Sequence, residues 1–168
     1  MNHSMQPYAE PRRWSPATSR LEPNSWTNSS PNAASPRRVS DAVLDSSAVL
    51  ALLLDERGAD IVAAALPDAL LCTVNLAEVV AKLGDRGMPA PEARAAVDAA
   101  GVEIVSFDAD LACLSGEIRP ITQAAGLSLG DRACLALARA RSLPAITADG
   151  AWSNLAGIEV VTIRAGRS

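Results

Sequence analysis

The stretch DAVLDSSAVLALLLDE, residues 41 to 56, introduces the pattern that the rest of the chain repeats. After Asp41 it has a short run, Ala42 to Asp45, that is apolar up to its final aspartate, and it continues into an Ala- and Leu-rich segment, Ser47 to Leu54. The run is typical of a buried strand, and the longer segment is typical of a helix. Runs and segments of these two kinds alternate along the chain, which predicts an α/β domain with a central, mainly parallel sheet flanked by helices.

The same pattern predicts the limits of the individual strands and helices. Five strands are predicted near Ala42 to Asp45, Leu70 to Cys72, Val102 to Val105, Ala145 to Thr147 and Glu159 to Ile163. Helices are predicted at roughly Ser47 to Leu54, Ala59 to Leu66, Val74 to Asp85, Pro91 to Ala100, Asp110 to Ala125 and Leu129 to Arg141, with a short turn around Trp152 to Leu155. Pro91 suits a first helical position, and Gly101 and Gly126 follow helical segments where stop signals are expected.

Residues 1–40 differ from the rest in composition. They hold 6 of the 11 Pro, 8 Ser and 4 Asn with almost no periodic apolar pattern, so they bury too little apolar area to offset the entropy of ordering. We therefore expect a disordered N-terminal extension at 1–40 and one globular domain at 41–168. Trp14 and Trp26 would fit a short docking segment in the extension; a cloning remnant or an over-long start-site assignment is the alternative.

Charge and composition exclude several classes of function. Residues 1–40 carry 5 Arg and 2 Glu, so the remaining 128 residues carry 10 basic and 17 acidic side chains, a net charge of −7. An acidic domain does not bind nucleic acid through a basic face, so metal ions must offset the repulsion if the partner is nucleic acid. His3 is the only histidine, which excludes Ser-His-Asp and Cys-His catalysis and nearly excludes a structural zinc site.

Cysteines and apolar runs bear on the compartment. Cys72, Cys113 and Cys134 are odd in number and lie in apolar surroundings, which favours buried thiols in a reducing cytosol. The longest apolar run, Ala48 to Leu54, is too short to cross a bilayer, and residues 1–40 lack the apolar stretch of a signal peptide. We therefore expect a cytoplasmic protein with no membrane partner.

Two aspartates end predicted strands. Asp45 ends the first strand in AVLDSSAV, and Asp149 follows a later strand in AITADGAW. Ligands of open parallel sheets bind outside the carboxyl ends of the strands, so both carboxylates face the expected site. An N-cap for the next helix is the alternative role for either residue.

Asp131 stands at the start of a predicted helix, in GLSLGDRACLALARA. Ser128 and Asp131 have the spacing of a capping box, which is a structural role. The apolar residues Cys134, Leu135 and Ala138 follow Asp131 at positions i+3, i+4 and i+7, so the carboxylate also continues a stripe that faces the core. An inward charge favours a metal ion or an ionic partner.

Glu78 is the acid that spacing alone does not select. It lies almost opposite the mean direction of the apolar residues of its helix, which are Leu76, Val79, Val80 and Leu83. Lys82 lies at position i+4, so periodicity favours an ordinary ion pair between the two residues on the solvent side.

Four motifs bring Glu78 together with the other acids: VLDSSAVLALLLDE, TVNLAEVVAKL, LSLGDRACLALA and AITADGAW. In their order and gaps, over about residues 42–163, the chain resembles a PIN domain of the VapC toxin family. The resemblance implies a five-stranded parallel sheet, a divalent-ion site for Mg²⁺ or Mn²⁺, cleavage of single-stranded RNA, a homodimer and a VapB-type antitoxin partner. The roles it implies are acidic site residues at Asp45, Glu78, Asp131 and Asp149, with polar support from Ser46, Asn75 and Thr147. The extension at 1–40 departs from the family, whose members typically begin near the first strand.

Phosphodiester hydrolysis would explain such a set of acids. It needs a nucleophilic water and stabilisation of charge on the phosphoryl oxygens, which one or two Mg²⁺ ions held by carboxylates supply. On this hypothesis Asp45 and Asp149 contact metal directly, whereas Asp131 and Glu78 bind a second ion or orient water. Arg132 would then contact a substrate phosphate or, alternatively, face solvent.

Two other phosphate-handling classes fit the sequence less well. A phosphoacceptor domain needs a lysine at the site, and Lys82, the only lysine, lies inside the predicted Glu78 helix. A dehalogenase-like phosphatase needs an acid two positions after its nucleophile, but Asp45 is followed by Ser46 and Ser47. A non-catalytic PIN-like binding module and a PIN nuclease of RNA processing without a toxin role stay open as alternatives.

Overall fold

A computed structural model of the chain describes residues 41–152 and 155–164. The extension predicted at 1–40 lies outside the described residues, as do the last four residues of the predicted domain. All statements below concern the described part.

Five short strands form one sheet. They are β1 (Val43–Leu44), β2 (Leu70–Cys72), β3 (Glu103–Val105), β4 (Ala145–Thr147) and β5 (Val160–Thr162). Their order across the sheet is β3-β2-β1-β4-β5, and every neighbouring pair is parallel. The predicted five-stranded parallel sheet is confirmed, and each predicted strand lies within one residue of its observed limits.

Helices connect the strands. They are α1 (Ser46–Leu53), α2 (Ala59–Ala65), α3 (Thr73–Gly84), α4 (Ala90–Ala99), α5 (Ala109–Glu117), α6 (Arg119–Thr122) and α7 (Leu129–Arg141), with 3₁₀ turns at Leu66–Asp68 and Gly150–Trp152. The predicted single helix from Asp110 to Ala125 is wrong, because the helix is interrupted at Ile118, between α5 and α6. Pro120 lies in the first turn of α6 and has no N–H to donate to Gly116, so α5 cannot continue through it. None of the described helices is long and apolar enough to span a membrane.

Two apolar cores lie on opposite faces of the sheet. Leu44 packs with α1 to α4 on one face, and its neighbour Val43 packs with α5 and α7 on the other, because successive strand residues point to opposite sides. Cys72 and Cys134 are buried in the second core as expected. The prediction that Cys113 is buried is wrong: on α5 the buried positions are Leu111 and Ser115, and Cys113 lies between them on the exposed side.

The strand order fixes where a site can form. From β1 the chain moves to β2 and β3 on one side of the sheet, and it then crosses to β4 and β5 on the other side. The connections that leave the carboxyl ends of β1 and β4 therefore diverge and open a crevice between them.

Candidate active site

A cavity of about 370 Å³ opens at this crevice. All four acids named from the sequence border it, although they come from four separate segments of the chain. The other residues that line the cavity are Ser46, Ser47, Leu50, Ala81 and Lys82. The fold thus brings together side chains that lie up to 104 positions apart, from Asp45 to Asp149.

Asp45 directly follows β1 and is only 3% exposed. Its Oδ2 accepts hydrogen bonds from Ser47 N (3.2 Å), Ser47 Oγ (2.6 Å) and Thr147 Oγ1 (3.0 Å), and its Oδ1 accepts from Asn75 Nδ2 (3.2 Å) and Ser46 Oγ (3.4 Å). Asp45 is also the N-cap of α1, so the same side chain both caps a helix and lines the cavity. Burial raises the pKa of this carboxyl, and the hydrogen bonds from Ser47 and Thr147 oppose the rise.

Asn75 joins three parts of the site. It lies in the first turn of α3, and its side chain is fully buried. Its Nδ2 lies within hydrogen-bonding distance of Asp45 Oδ1 (3.2 Å), Glu78 Oε2 (3.4 Å) and the Gly130 carbonyl oxygen (3.2 Å). Two amide hydrogens are thus shared among three acceptors, and the amide oxygen has no hydrogen-bond partner in the described part of the chain. The side chain therefore ties the end of β1 and the start of α7 to α3.

Glu78 points into the site and not toward solvent. It is half-buried, and no ion pair joins it to Lys82 within the described residues, so the solvent-side ion pair expected from periodicity is wrong. Its carboxylate lies against Gly130, where an added Cβ would overlap it. Burial raises the pKa of Glu78, a hydrogen bond from Ser46 opposes the rise, and the charges of Asp45 and Asp131 add to it.

Asp131 combines the two roles considered from the sequence. It closes a capping box at the start of α7, because Ser128 N donates to Asp131 Oδ2 (2.6 Å) and Asp131 N donates to Ser128 Oγ (3.2 Å). Cys134, Leu135 and Ala138 are buried, as the predicted stripe requires. The half-exposed carboxylate at the end of this stripe borders the cavity.

Asp149 is exposed at the edge of the cavity, two residues after β4. Its Oδ1 accepts a hydrogen bond from Ala151 N (2.8 Å), and its own N–H donates to Thr147 Oγ1 (3.1 Å). The buried Thr147 also donates to Asp45, so a single hydroxyl connects the acids that follow β1 and β4.

Two residues of the site were missed from the sequence. Ser47 holds Asp45 more closely than Ser46 does: its Oγ lies 2.6 Å from Asp45 Oδ2 and accepts from Ala148 N at 2.9 Å. Its position two residues after an N-cap aspartate was an available signal, because the N–H at that position bonds to the cap. Gly130 was also missed, since nothing local shows that its open side receives a carboxylate from α3.

Arg132 does not border the cavity. The residue is half-buried, and its Nη1 donates to the Leu127 carbonyl oxygen at 2.9 Å. It is therefore committed to the loop before α7, and the structure favours neither the phosphate contact nor the solvent-facing orientation expected from the sequence.

The donor set fits a hard divalent cation. Within the described ranges, no group of three or more His, Cys, Asp or Glu side chains already has the arrangement of a metal site. Four carboxylates nevertheless border one cavity, and Mg²⁺ uses one or two carboxylates while keeping several waters, so a closed protein cage is not required. Metal binding by Asp45, Glu78, Asp131 and Asp149 stays a prediction.

Comparison with known proteins yields a family and a set of related folds. A family model described as "PIN domain" matches residues 42–158. A toxin-antitoxin complex from Klebsiella pneumoniae is 24% identical with a TM-score of 0.58, over 73% of this chain and 97% of that chain. DNA-bound VapBC from Salmonella typhimurium is 18% identical with a TM-score of 0.57, over 73% and 98%. FitAcB from Neisseria gonorrhoeae is 20% identical with a TM-score of 0.52, over 73% and 97%. No curated protein matches the chain. At these identities the likeness to the solved structures is one of fold.

Proposed function

Because the chain belongs to the PIN-domain family, we propose that it is a metal-dependent endoribonuclease that hydrolyses phosphodiester bonds of single-stranded RNA with Mg²⁺ or Mn²⁺. One observation carries the proposal: Asp45, Glu78, Asp131 and Asp149, from four segments, border a single cavity at the carboxyl edge of the sheet. Clustered carboxylates repel an RNA phosphate unless a cation lies between them, so such a cavity suits a nuclease that works with bound cations.

The four acids would hold the ion or ions. When bound, Mg²⁺ offsets the carboxylate charge and activates water for attack on phosphorus. The chain supplies orientation: Asn75 and Ser46 fix one oxygen of Asp45, while Ser47 and Thr147 fix the other. Because burial raises the pKa of Asp45 and of Glu78, cation binding should release protons and strengthen as pH rises.

We further propose that the protein is the toxin of a toxin-antitoxin pair, acts in the cytoplasm, forms a homodimer and is inhibited by a VapB-type antitoxin. The structural neighbours support this proposal by fold, since those from Klebsiella pneumoniae and Salmonella typhimurium are described as a toxin-antitoxin complex and as VapBC. The cavity also suits an inhibitor that inserts a guanidinium group, which makes bidentate bonds to carboxylates. A PIN nuclease of RNA processing would lack such an inhibitor.

Cleavage of a mixed RNA pool by the full-length chain tests the enzymatic part. We expect cleavage with Mg²⁺ or Mn²⁺ and none in chelator, and Asp131→Asn should lower the rate by about 100-fold or more. Asp110→Asn is the matched control, because Asp110 is also an acid in the first helical turn but does not border the cavity. Parental cleavage by Asp131→Asn, or cleavage that continues in chelator, would overturn the proposal; a non-catalytic module would show no cleavage at all.

Growth of cells that express the chain tests the toxin part. We expect arrest on induction, and relief when a small antitoxin-like reading frame immediately upstream of the gene is expressed together with it. Normal growth of cells that contain active, RNA-cleaving protein would instead indicate an RNA-processing role.

A further inference from the structure

Lys82 is the chain's only lysine, and it borders the cavity together with the four acids. Among the described residues that line this cavity, it is the only cation. The expectation from the sequence that no lysine lies at the site is therefore wrong. A positive side chain at a site that must accept an anionic substrate has an evident electrostatic use.

Three side chains of α3 follow one another from the floor of the site to its mouth. Asn75, Glu78 and Lys82 are spaced by three and four residues, so they lie on one face of the helix. Asn75 is buried, Glu78 is half-buried and Lys82 is exposed. The exposed Lys82 therefore lies at the outer end of this helix face, beside the cavity, and the half-buried Glu78 lies deeper on the same face.

Because the Glu78 carboxylate turns away, Lys82 has no ionic partner among the residues that the structure describes. Glutamate followed by lysine at i+4 normally pairs on a helix surface. Here the Glu78 carboxylate turns toward Asn75 and Gly130. The ion pairs within the described residues involve only arginines, namely Arg86 and Arg164 with Glu56 and Arg94 with Asp98. The charge of Lys82 thus remains available for a ligand.

We propose that Lys82 is an RNA-binding residue whose ammonium group contacts a phosphate of the bound strand at the mouth of the cavity. The inference rests on the proposed nuclease function and adds a contact to the substrate. A lysine suits this place because its compact charge carries three donors on a flexible stem, so it meets a phosphate without a fixed geometry. Arg132, which follows Asp131 in the same motif, does not border the cavity, and its Nη1 donates to the Leu127 carbonyl oxygen.

The salt dependence of RNA affinity tests the contact directly. Binding of a single-stranded RNA is measured in Mg²⁺ with full-length protein in an Asp131→Asn background, so that cleavage does not consume the ligand. We expect Lys82→Gln to weaken affinity by about fivefold and to reduce the slope of log affinity against log salt by about 0.7, the loss of one phosphate contact on a single strand. Lys82→Arg should retain the parental slope because it keeps the charge.

Arg139→Gln is the matched control, since Arg139 is exposed, lies in the last turn of α7 as Lys82 does in α3, and is remote from the cavity. Its affinity should stay within about twofold of the parent. An unchanged slope in Lys82→Gln, or an equal loss in Arg139→Gln, overturns the inference. The proposed nuclease function is judged separately, by cleavage with Lys82 intact: if that protein cleaves and Lys82→Gln binds normally, only the lysine contact is refuted.

Discussion

The four acids of the cavity form an inner and an outer pair that are held in different ways. The inner pair, Asp45 and Glu78, is the more buried. Both carboxylates accept a hydrogen bond from Asn75, which lies on the same helix as Glu78 and 30 positions after Asp45. The outer pair, Asp131 and Asp149, is half-exposed or exposed and bonds to backbone N–H groups two or three residues away. Burial raises the pKa of both inner acids.

This difference shows that acidic side chains at one site can have opposite effects on the stability of the fold. Each outer acid satisfies a local N–H group, as helix and turn starts require, so it supports the fold while it faces the cavity. Asp45 also caps α1 through Ser47 N, but it differs from the outer acids in being almost fully buried. Each inner acid is a partly desolvated charge that lowers stability unless a cation or enough donors offset it. Changes to the residues that hold the inner pair should therefore lower activity, whereas changes to those that hold the outer pair should lower mainly stability.

Among changes that keep all four acids, the largest expected effect comes from Gly130→Ala, which disturbs the inner pair. The new Cβ would overlap the Glu78 carboxylate and force it out of its position. We expect RNA cleavage to fall by about 100-fold, because small displacements of site groups have effects of this size. Initial rates at saturating Mg²⁺ would measure it.

Gly116→Ala is the control for that change. Gly116 lies within α5, and a Cβ there would meet no atom within 4 Å. Alanine favours a helix over glycine by up to about 1 kcal/mol, so this variant should cleave normally and melt at the parental temperature or above. Normal cleavage by Gly130→Ala would show that Glu78 need not occupy its observed position.

The second effect compares the supports of the two pairs. Asn75→Ala removes the donor shared by Asp45, Glu78 and the Gly130 carbonyl, and we expect a loss of about 10- to 100-fold in cleavage. Ser128→Ala removes the cap on Asp131 N, which costs about 1 kcal/mol of stability, but leaves the bond from Ser128 N to the Asp131 carboxylate. Cleavage by Ser128→Ala should therefore be nearly parental. Equal losses of activity in the two variants would remove the distinction between the pairs.

The smallest effect is a pH dependence of stability in chelator. The folded pKa values of Asp45 and Glu78 lie above their ordinary values of 3.8 and 4.5, so the folded chain binds more protons than the unfolded chain. The resulting stabilisation is complete below the ordinary values and is lost as pH rises through the raised ones. We therefore expect the free energy of unfolding to fall across this range, and Mg²⁺ to restore it.

Glu78→Gln should flatten that decline, because glutamine does not titrate. Glu92→Gln is its control, since Glu92 is an exposed glutamate in the first turn of α4 that does not border the cavity. Denaturant unfolding at several pH values, with chelator and with Mg²⁺, measures both variants. A decline that persists unchanged in Glu78→Gln would assign it to other groups.

Much of this arrangement could be predicted from local sequence. Asp45 and Asp149 follow apolar runs, and parallel strands bring their carboxyl ends to one edge, so their shared location follows from the fold class. Asp131 carried both of its signals, the capping spacing with Ser128 and the buried stripe behind it. The sheet itself followed from the alternation of runs and helical segments.

Glu78 could not be placed by periodicity, for a physical reason. The mean apolar direction of α3 describes only the side that packs on the first core, through Val79 and Leu83. Its Asn75 and Glu78 side is covered by the start of α7, where Gly130 leaves room for a carboxylate. That cover comes from residues about 50 positions further along the chain, so only the motif resemblance indicated Glu78.

The hydrogen bonds of Asn75 and Thr147 also bear on when the site forms during folding. Asn75 bonds to Gly130 across 55 positions, and Thr147 bonds to Asp45 across 102. Contacts that close such long loops form late, because the entropy of closing the loop must be overcome before the contact stabilises anything. During synthesis, therefore, Asp45 is made long before Thr147, to which it is hydrogen-bonded in the folded chain. A growing chain has no complete cavity until β4 and Asp149 have been made, so every shorter chain lacks at least one of the four acids.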